Sequence, residues 1–288
     1  MGKRKTFFFN ESLLFVFVSS SLFFSGIQAA VQHESDPSTE PASQERAKPP
    51  EFKFFIPGAL AFGDLYAVPG HHLPEAEDKV GFWIRRIYLT GDFNLSKQIF
   101  VRARFEANQD GDFVSNAFTG DIKDLFLRWT LGRHKLFFGL SPTPTFDLVE
   151  DLWGFRYLEK TPLDLQGEPS RDWGIAARGP LSQRHQINYR IMLGSGYDLG
   201  RETGEGTKFM GAVSYGNPKK GWLIDLYGDF QKLPGPTDHT TGQISLHYSL
   251  AKGRVGGLYS YQDREADPRL EVASAYGVAD LFTKVSLV

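Results

Sequence analysis

Residues 99–108 read IFVRARFEAN, and their side chains alternate between two unlike sets. The apolar set is Ile99, Val101, Ala103, Phe105 and Ala107, and the other set is Phe100, Arg102, Arg104, Glu106 and Asn108. A period of two residues is typical of a β-strand whose two faces meet different surroundings. A helix would scatter these charges around its circumference. The stretch therefore predicts a strand with one apolar face and one largely charged face.

The same alternation recurs along the chain from residue 51 onward. It is clearest in KDLFLRWTL (123–131), GWLIDLYGDFQ (221–231) and QISLHYSL (243–250). It is less regular over 52–66, 80–93, 134–140, 171–179, 186–197, 208–216, 254–262 and 271–280. Turn-forming stretches such as DGD (110–112), GNPKKG (216–221) and LPGPTD (233–238) separate these segments. No segment of helical period competes, so the sequence predicts an all-β chain of about a dozen antiparallel strands.

Composition excludes several classes of protein. The 288 residues include no cysteine, which rules out disulfides, covalent haem attachment, a lipoprotein anchor and thiolate metal sites. The net charge of −2 supplies no global basic field, so nucleic acid is not an expected partner. The mean hydropathy of −0.30 is too low for a chain built mainly of membrane-spanning helices.

The N-terminus has the layout of an export signal. Lys3, Arg4 and Lys5 precede the apolar run SLLFVFVSSSLFFSG. A single membrane anchor is the alternative, but the run is short for a span and is interrupted by Ser19 to Ser21. We therefore expect a signal peptide over residues 1–30. Residues 31–50 are rich in Pro, Ser and Glu and predict a disordered leader before the β domain at 51–288.

Two architectures fit many alternating strands: a soluble sandwich or barrel with an apolar interior, and a membrane barrel with an apolar exterior. Three features favour an antiparallel transmembrane β-barrel. Strands of about ten residues match a tilted span. Arginine recurs on the polar faces, where a water-filled lumen can hydrate it. Aromatic residues lie near strand ends, as an interfacial girdle requires: Phe82, Trp83, Trp129, Trp173, Tyr189 and Trp222.

A longer pattern carries a family resemblance. The series comprises RRIYLTGDF (85–93), VRARFEAN (101–108), LFLRW (125–129), KLFFGLSPTPTF (135–146), FRYLEKTPLDL (155–165) and SRDWGIAARGPL (170–181). It resembles the phosphate-selective porin O and P family of Gram-negative outer membranes, well over residues 51–200 and beyond them only as repeated strands. The resemblance implies a passive channel for small anions such as phosphate, often a homotrimer, in the outer membrane. It also implies a long loop, here residues 141–170, that folds inward.

The sequence departs from that family at its end. Family barrels finish on an aromatic residue, whereas this chain ends LFTKVSLV at Val288. About a dozen strands are also fewer than the family's barrels usually have, although even counts from eight upward are viable. We therefore expect the sequence to stop inside a strand.

The alternation, extended from the opening strand, selects the predicted pore-lining residues. They are Arg86, Arg102, Arg104, Glu106, Arg128, Arg178 and Arg190. Arg85 lies on the opposite phase, which places it at the membrane interface or in a β-bulge. Guanidinium groups stay charged and hold oxyanions by forked hydrogen bonds, which suits an anion channel.

A second interpretation of the same arginines is structural. Each can brace the wall against a carboxylate, and the candidates are Glu106, Asp124, Asp172, Asp225 and Asp229. The acidic residues of the long loop, Asp147, Glu150, Asp151 and Glu159, would oppose anion preference. Selectivity would then arise from the arginines that have no such partner.

Other candidate chemistry is weak, and we predict no catalytic residue, metal or cofactor. His71, His72 and Glu75 lie in a Pro-flanked loop with no further ligand. The stretch from Glu106 resembles a calcium loop, but its twelfth position is Ala117. Ser245 and His247 share a face without an identifiable carboxylate.

The alternative to a channel is a non-channel β protein of the cell envelope, either a barrel enzyme or a secreted binding module.

Overall fold

The computed structural model describes residues 54–55, 59–68, 77–109, 117–155, 160–196, 206–219, 221–233, 238–264, 269–282 and 285–287. The predicted signal peptide and leader lie outside these residues, as do His71, His72 and Glu75. The described chain is almost entirely antiparallel strand, as the alternation predicts. The strands are β1 (Phe54–Phe55), β2 (Ala59–Ala67), β3 (Val80–Asn94), β4 (Ile99–Asn108), β5 (Thr119–Leu131), β6 (His134–Pro142), β7 (Arg171–Ser182), β8 (Ile187–Gly194), β9 (Thr207–Gly216), β10 (Trp222–Lys232), β11 (His239–Leu250), β12 (Gly253–Asp263), β13 (Leu270–Phe282) and β14 (Val285–Leu287).

The chain forms two compact units. The smaller comprises the described parts of residues 58–89 and 105–121, where β2 pairs with the first part of β3. The larger comprises the remainder, and its hydrogen-bonded order runs β1-β3-β4 and then in sequence to β14. Among the described strands this path is open, because its two ends do not pair with each other. The all-β prediction is therefore confirmed, whereas closure of the sheet stays a prediction.

In the described residues two short helices interrupt the β pattern, and the sequence analysis missed both. They are α1 (Phe146–Trp153) and α2 (Pro162–Leu165), and they lie in the long loop between β6 and β7. Helix α1 is followed by Gly154, whose φ of 74° is the left-handed conformation that glycine adopts readily. Helix α2 has Pro162 in its first turn. Neither helix in the described part of the chain has the length and apolar content that a bilayer crossing requires.

The long loop packs on one face of the larger unit's sheet. Phe146 and Leu163 are each only 1% exposed, and they join a buried apolar cluster with strand residues. The strand members of this cluster are Phe126, Phe137, Ala176, Met192, Met210, Ala212 and Tyr227. Full burial of a large apolar side chain contributes about 1.5 to 3 kcal/mol, so these contacts hold the loop against the sheet.

Candidate functional site

The two faces of the larger unit's sheet differ in the opposite sense from a soluble protein. On β10, Leu226 and Phe230 are about half exposed, while Asp225 and Asp229 are buried. On β11, Ile244 and Leu246 are exposed, while Gln243 is buried. We call the side that carries the buried polar residues the polar face. Exposed apolar and enclosed polar side chains are the arrangement of a membrane barrel with a hydrated interior.

Two of the predicted arginines lie on the polar face of β4 and bind carboxylates. Arg102 donates from Nε and Nη2 to the two oxygens of Asp92, each at 2.7 Å. Arg104 lies 3.1 Å from Asp124 and donates to the Thr90 hydroxyl at 3.0 Å. Arg171, which the sequence analysis did not select, binds the same Asp124 at 2.6 Å. One buried carboxylate therefore serves two guanidinium groups.

Arg178 and Arg190 connect the sheet to the start of the long loop. Arg178 pairs with Asp147 of α1 and donates to the Pro142 carbonyl at 2.6 Å. Arg190 donates to the Pro144 carbonyl at 3.0 Å and to Asp225 at 2.6 Å. These arginines thus hold backbone carbonyls of the loop as well as carboxylates.

Arg128 is different from its neighbours. Its guanidinium lies over the Phe100 ring, 4.2 Å from the ring centroid. Within the part of the chain that the structure describes, Arg128 has no carboxylate in ion-pair range, and its Nε is buried without a hydrogen-bond partner. The ring supports the guanidinium through a cation–π contact in place of an ion pair.

In the smaller unit, Arg86 and Glu106 form an ion pair at 2.6 Å, and Glu106 is 3% exposed. The pairing of β2 with β3 shifts register between Phe62 and Gly63, which face Arg86 and Ile84. Arg85 is the additional residue, so it occupies a β-bulge, one of the two predicted positions.

The parts of the long loop that follow α1 and α2 make their own contacts with the sheet. Arg254 of β12 donates from Nη2 to the Trp153 carbonyl at the end of α1, at 3.0 Å. A cation at the C-terminal end of a helix is favourable because the last carbonyls have no intrahelical partner. Beyond α2, Glu168 pairs with Lys208 of β9 and accepts from Gln262 of β12 at 2.7 Å. The loop is therefore bound to β7 and β8 at its start and to β9 and β12 further along.

A recess of about 670 Å³ opens between α1 and the strands of the polar face. Cationic side chains line its sheet side: Arg133, Lys135, Arg178 and Arg190. Asp147 and Asp151 line its α1 side. Desolvation raises the pKa of Asp151 although part of the side chain is exposed, and Arg171 opposes that shift. The loop thus sets acidic groups against a basic wall.

Asp172 and His247, which the sequence analysis also considered, form hydrogen bonds with neighbouring groups. Among the described residues no arginine pairs with Asp172, which accepts from the Ser195 hydroxyl at 2.7 Å and from backbone N–H groups. His247 contacts the hydroxyls of Tyr276 and Ser249 at 2.9 and 3.2 Å, with no bond to Ser245. Within the described residues no group of three or more His, Asp or Glu is placed to hold a metal.

Sequence reasoning missed Arg171, Lys208 and Arg254 as functional candidates. Lys208 lies on the polar phase of TKFMGAVSYG, so the alternation contained the signal that selects it. Arg171 and Arg254 lie at strand starts, where the alternating pattern is shortest. The partner of Arg171, Asp124, was among the candidate carboxylates, whereas the Trp153 carbonyl that Arg254 contacts gives no sequence signal.

The chain resembles known proteins in its fold rather than in its sequence. No protein-family model and no curated protein matches the chain. Solved structures do match. An anion-selective porin from Comamonas acidovorans has a TM-score of 0.53 and 17% identity, over 80% of this chain and 74% of that one. OmpT of Vibrio cholerae without loop L8, an outer membrane protein, has a TM-score of 0.51 and 11% identity, over 82% and 79%. The chain has the fold of outer-membrane β-barrel porins.

Proposed function

We propose that this protein is an outer-membrane channel through which small anions, phosphate among them, diffuse passively along the polar face. The observation that carries the proposal is an excess of guanidinium groups over the carboxylates that they contact. Among the described residues, four carboxylates, Asp92, Asp124, Asp147 and Asp225, are contacted by five arginines: Arg102, Arg104, Arg171, Arg178 and Arg190. A sixth arginine, Arg128, contacts no carboxylate among the described residues and lies over the Phe100 ring.

The polarity of the sheet supports a channel. Apolar side chains on the outer face meet hydrocarbon, and the ion pairs of the polar face meet water. A fixed guanidinium in a lumen with low-dielectric walls raises the local concentration of anions. The long loop lies across the polar face, so in this proposal it narrows the passage, and its Asp147 and Asp151 limit the anion preference.

Membership of the phosphate-selective porin O and P family is part of the same proposal, and it rests on the quoted sequence series. So are export by the N-terminal signal to a Gram-negative outer membrane, contact with its lipid and assembly as a homotrimer. The similarity of the fold to an anion-selective porin agrees with this function. We propose no catalytic activity.

The decisive experiment targets Arg128, because its charge has no carboxylate partner in the described residues. In planar bilayers under a KCl gradient, we expect Arg128→Glu to lower the anion-to-cation permeability ratio by about tenfold, the lower end of what focused charge achieves. Arg128→Gln should give an intermediate ratio. Block of the chloride current by inorganic phosphate should weaken in the same order.

The control is Arg269→Glu, which makes the same charge change at a side chain that is 59% exposed and pairs with Glu271. It should leave the permeability ratio unchanged. Equal ratios for wild type and Arg128→Glu would remove the arginines from the selectivity mechanism. Gel mobility in mild detergent that does not change on boiling, with no conductance, would instead favour the non-channel envelope protein.

A further inference from the structure

The short turns of the larger unit share one sign of charge. They read LSKQ (95–98), GR (132–133), QRHQ (183–186), NPKKG (217–221) and AK (251–252). Each contains a Lys or Arg, and none contains Asp or Glu. Each of the longer connections at the opposite strand ends, such as 195–206 and 233–238, contains at least one acidic residue. The short turns at one rim therefore carry net positive charge, whereas none of the longer connections does.

An outward-facing aromatic band lies next to this basic rim. Trp129 precedes the end of β5 by two residues, Tyr215 ends the outer face of β9, and Trp222 begins β10. Trp129, Tyr215, Trp222 and Tyr248 are between 40% and 48% exposed. Half-exposed Trp and Tyr at strand ends mark the level of lipid headgroups. The basic turns then lie just outside that level.

This rim contains a partly open recess next to two of the exposed aromatic side chains. A cavity of about 200 Å³ lies between the 183–186 turn and the adjoining ends of β9 and β10. Arg184, His185, Gln186 and Asn217 supply its polar lining, and Tyr215 and Trp222 its aromatic lining. The two rings pack edge to face with centroids 4.9 Å apart. Among the described residues, Arg184 has no carboxylate partner.

The backbone around the recess is fixed by its own hydrogen bonds. The Gly216 N–H donates to the Gln186 carbonyl at 3.2 Å, which ties the first turn to the end of β9. The Asn217 side-chain oxygen accepts from the Lys219 N–H at 3.0 Å, which orders the second turn. The recess is thus preorganised rather than a gap between two loose turns.

We propose that this recess binds the headgroup of an anionic phospholipid, with Arg184 on the phosphate and the Tyr215–Trp222 pair against the start of the acyl chains. The inference rests on the membrane insertion proposed above. Guanidinium forms forked hydrogen bonds with phosphate oxygens, and basic interfacial pockets suit anionic headgroups. A free phosphate ion would gain nothing from the two exposed rings, and this separates a lipid from a permeant solute. Short turns of such barrels face the periplasm, so the site belongs to the periplasmic leaflet.

The test uses the full chain, refolded in detergent and given equal amounts of phosphatidylglycerol and phosphatidylcholine with identical acyl chains. Native mass spectrometry counts the lipids that each protein retains. Wild type should retain phosphatidylglycerol in preference, and Arg184→Gln should lower that preference about fivefold, the effect of one interfacial charge. Lys252→Gln, a rim charge outside the recess, is the matched control and should retain the wild-type preference.

Equal retention of the two lipids by wild type would overturn the site. A loss in Lys252→Gln as large as in Arg184→Gln would also overturn it, since the whole rim rather than the recess would then attract lipid. Conductance measured on the same preparations separates the two proposals. Retained lipid preference without conductance counts against the channel alone, and conductance without lipid preference counts against the lipid site alone.

Discussion

The polar face consists of two groups of strands, which we call walls. Both show the same alternation of apolar and polar side chains, but they differ in the kind of polar side chain that they present. The charged wall, strands β4–β8, presents six arginines, and the side chains of Arg102 and Arg104 are 30% and 24% exposed. The neutral wall, strands β9–β12, presents mainly buried hydroxyls and amides: Ser214, Thr241, Gln243, Ser245, Ser260 and Gln262. Its paired cation, Lys208, is only 2% exposed between Glu168 and Asp229.

The difference shows that an inward charge has two uses in this fold. On the charged wall Arg102 and Arg104 keep contact with solvent, so they remain able to act on a passing anion, whereas Arg190 is buried and holds the loop. On the neutral wall Lys208 is enclosed by carboxylates from the loop and from β10, so its role is structural: it holds the loop against the sheet. Exposure, rather than residue type, separates the two roles, and substitutions can measure the separation.

The largest change in the free energy of unfolding is expected at Lys208. Lys208→Met leaves Glu168 and Asp229 buried without their cation, which should lower the free energy of unfolding by about 3 to 5 kcal/mol. Arg102→Met on the charged wall removes a partly solvated pair and should cost about 1 kcal/mol or less. Urea unfolding followed by tryptophan fluorescence in detergent measures both. Equal losses would abolish the distinction between the walls.

The next effect concerns the outer face of the neutral wall. Leu226 lies near the middle of β10, so Leu226→Arg places a charge at the level of the hydrocarbon centre. It should cost about 2 to 4 kcal/mol, whereas Trp222→Arg, at the interfacial end of the same strand, should cost about 0 to 1 kcal/mol. The folded fraction in lipid vesicles, read from heat-modifiable gel mobility, measures both. If both variants fold equally well, the outer face of β10 does not meet lipid.

The smallest effect is expected where the neutral wall holds the loop. Arg254→Gln removes a charged hydrogen bond to the Trp153 carbonyl and a guanidinium that lies 4.9 Å from the Phe155 ring centroid. The loss should be about 1.5 to 3 kcal/mol and local to the end of α1. We expect larger open-channel current noise with little change in anion preference, because Arg128 is untouched. A quiet channel with altered selectivity would instead place Arg254 among the groups that act on ions.

The local sequence contained nearly all of the strand assignments. Strand β4 was predicted at its observed bounds, and the alternation of β10 predicted which side chains are exposed and which are buried. The helices were not predicted, because eight residues of α1 and four of α2 are too few to show a period in a Pro-rich loop. The predicted segment 52–66 contains β1 and most of β2.

By itself, the sequence determined that this chain is built of strands with an apolar and a polar face, because strand geometry sends neighbouring side chains to opposite sides whatever the rest of the fold does. It also predicted most of the arginines that lie on the polar face, although not Arg171 or Arg254. Only the tertiary structure decided the partner of each one, since register and loop path bring together residues that are far apart in the chain. Arg190 and Asp225 are separated by 35 positions, and Arg254 and Trp153 by 101. Those partnerships distinguish the paired arginines from Arg128, and no local pattern encodes them.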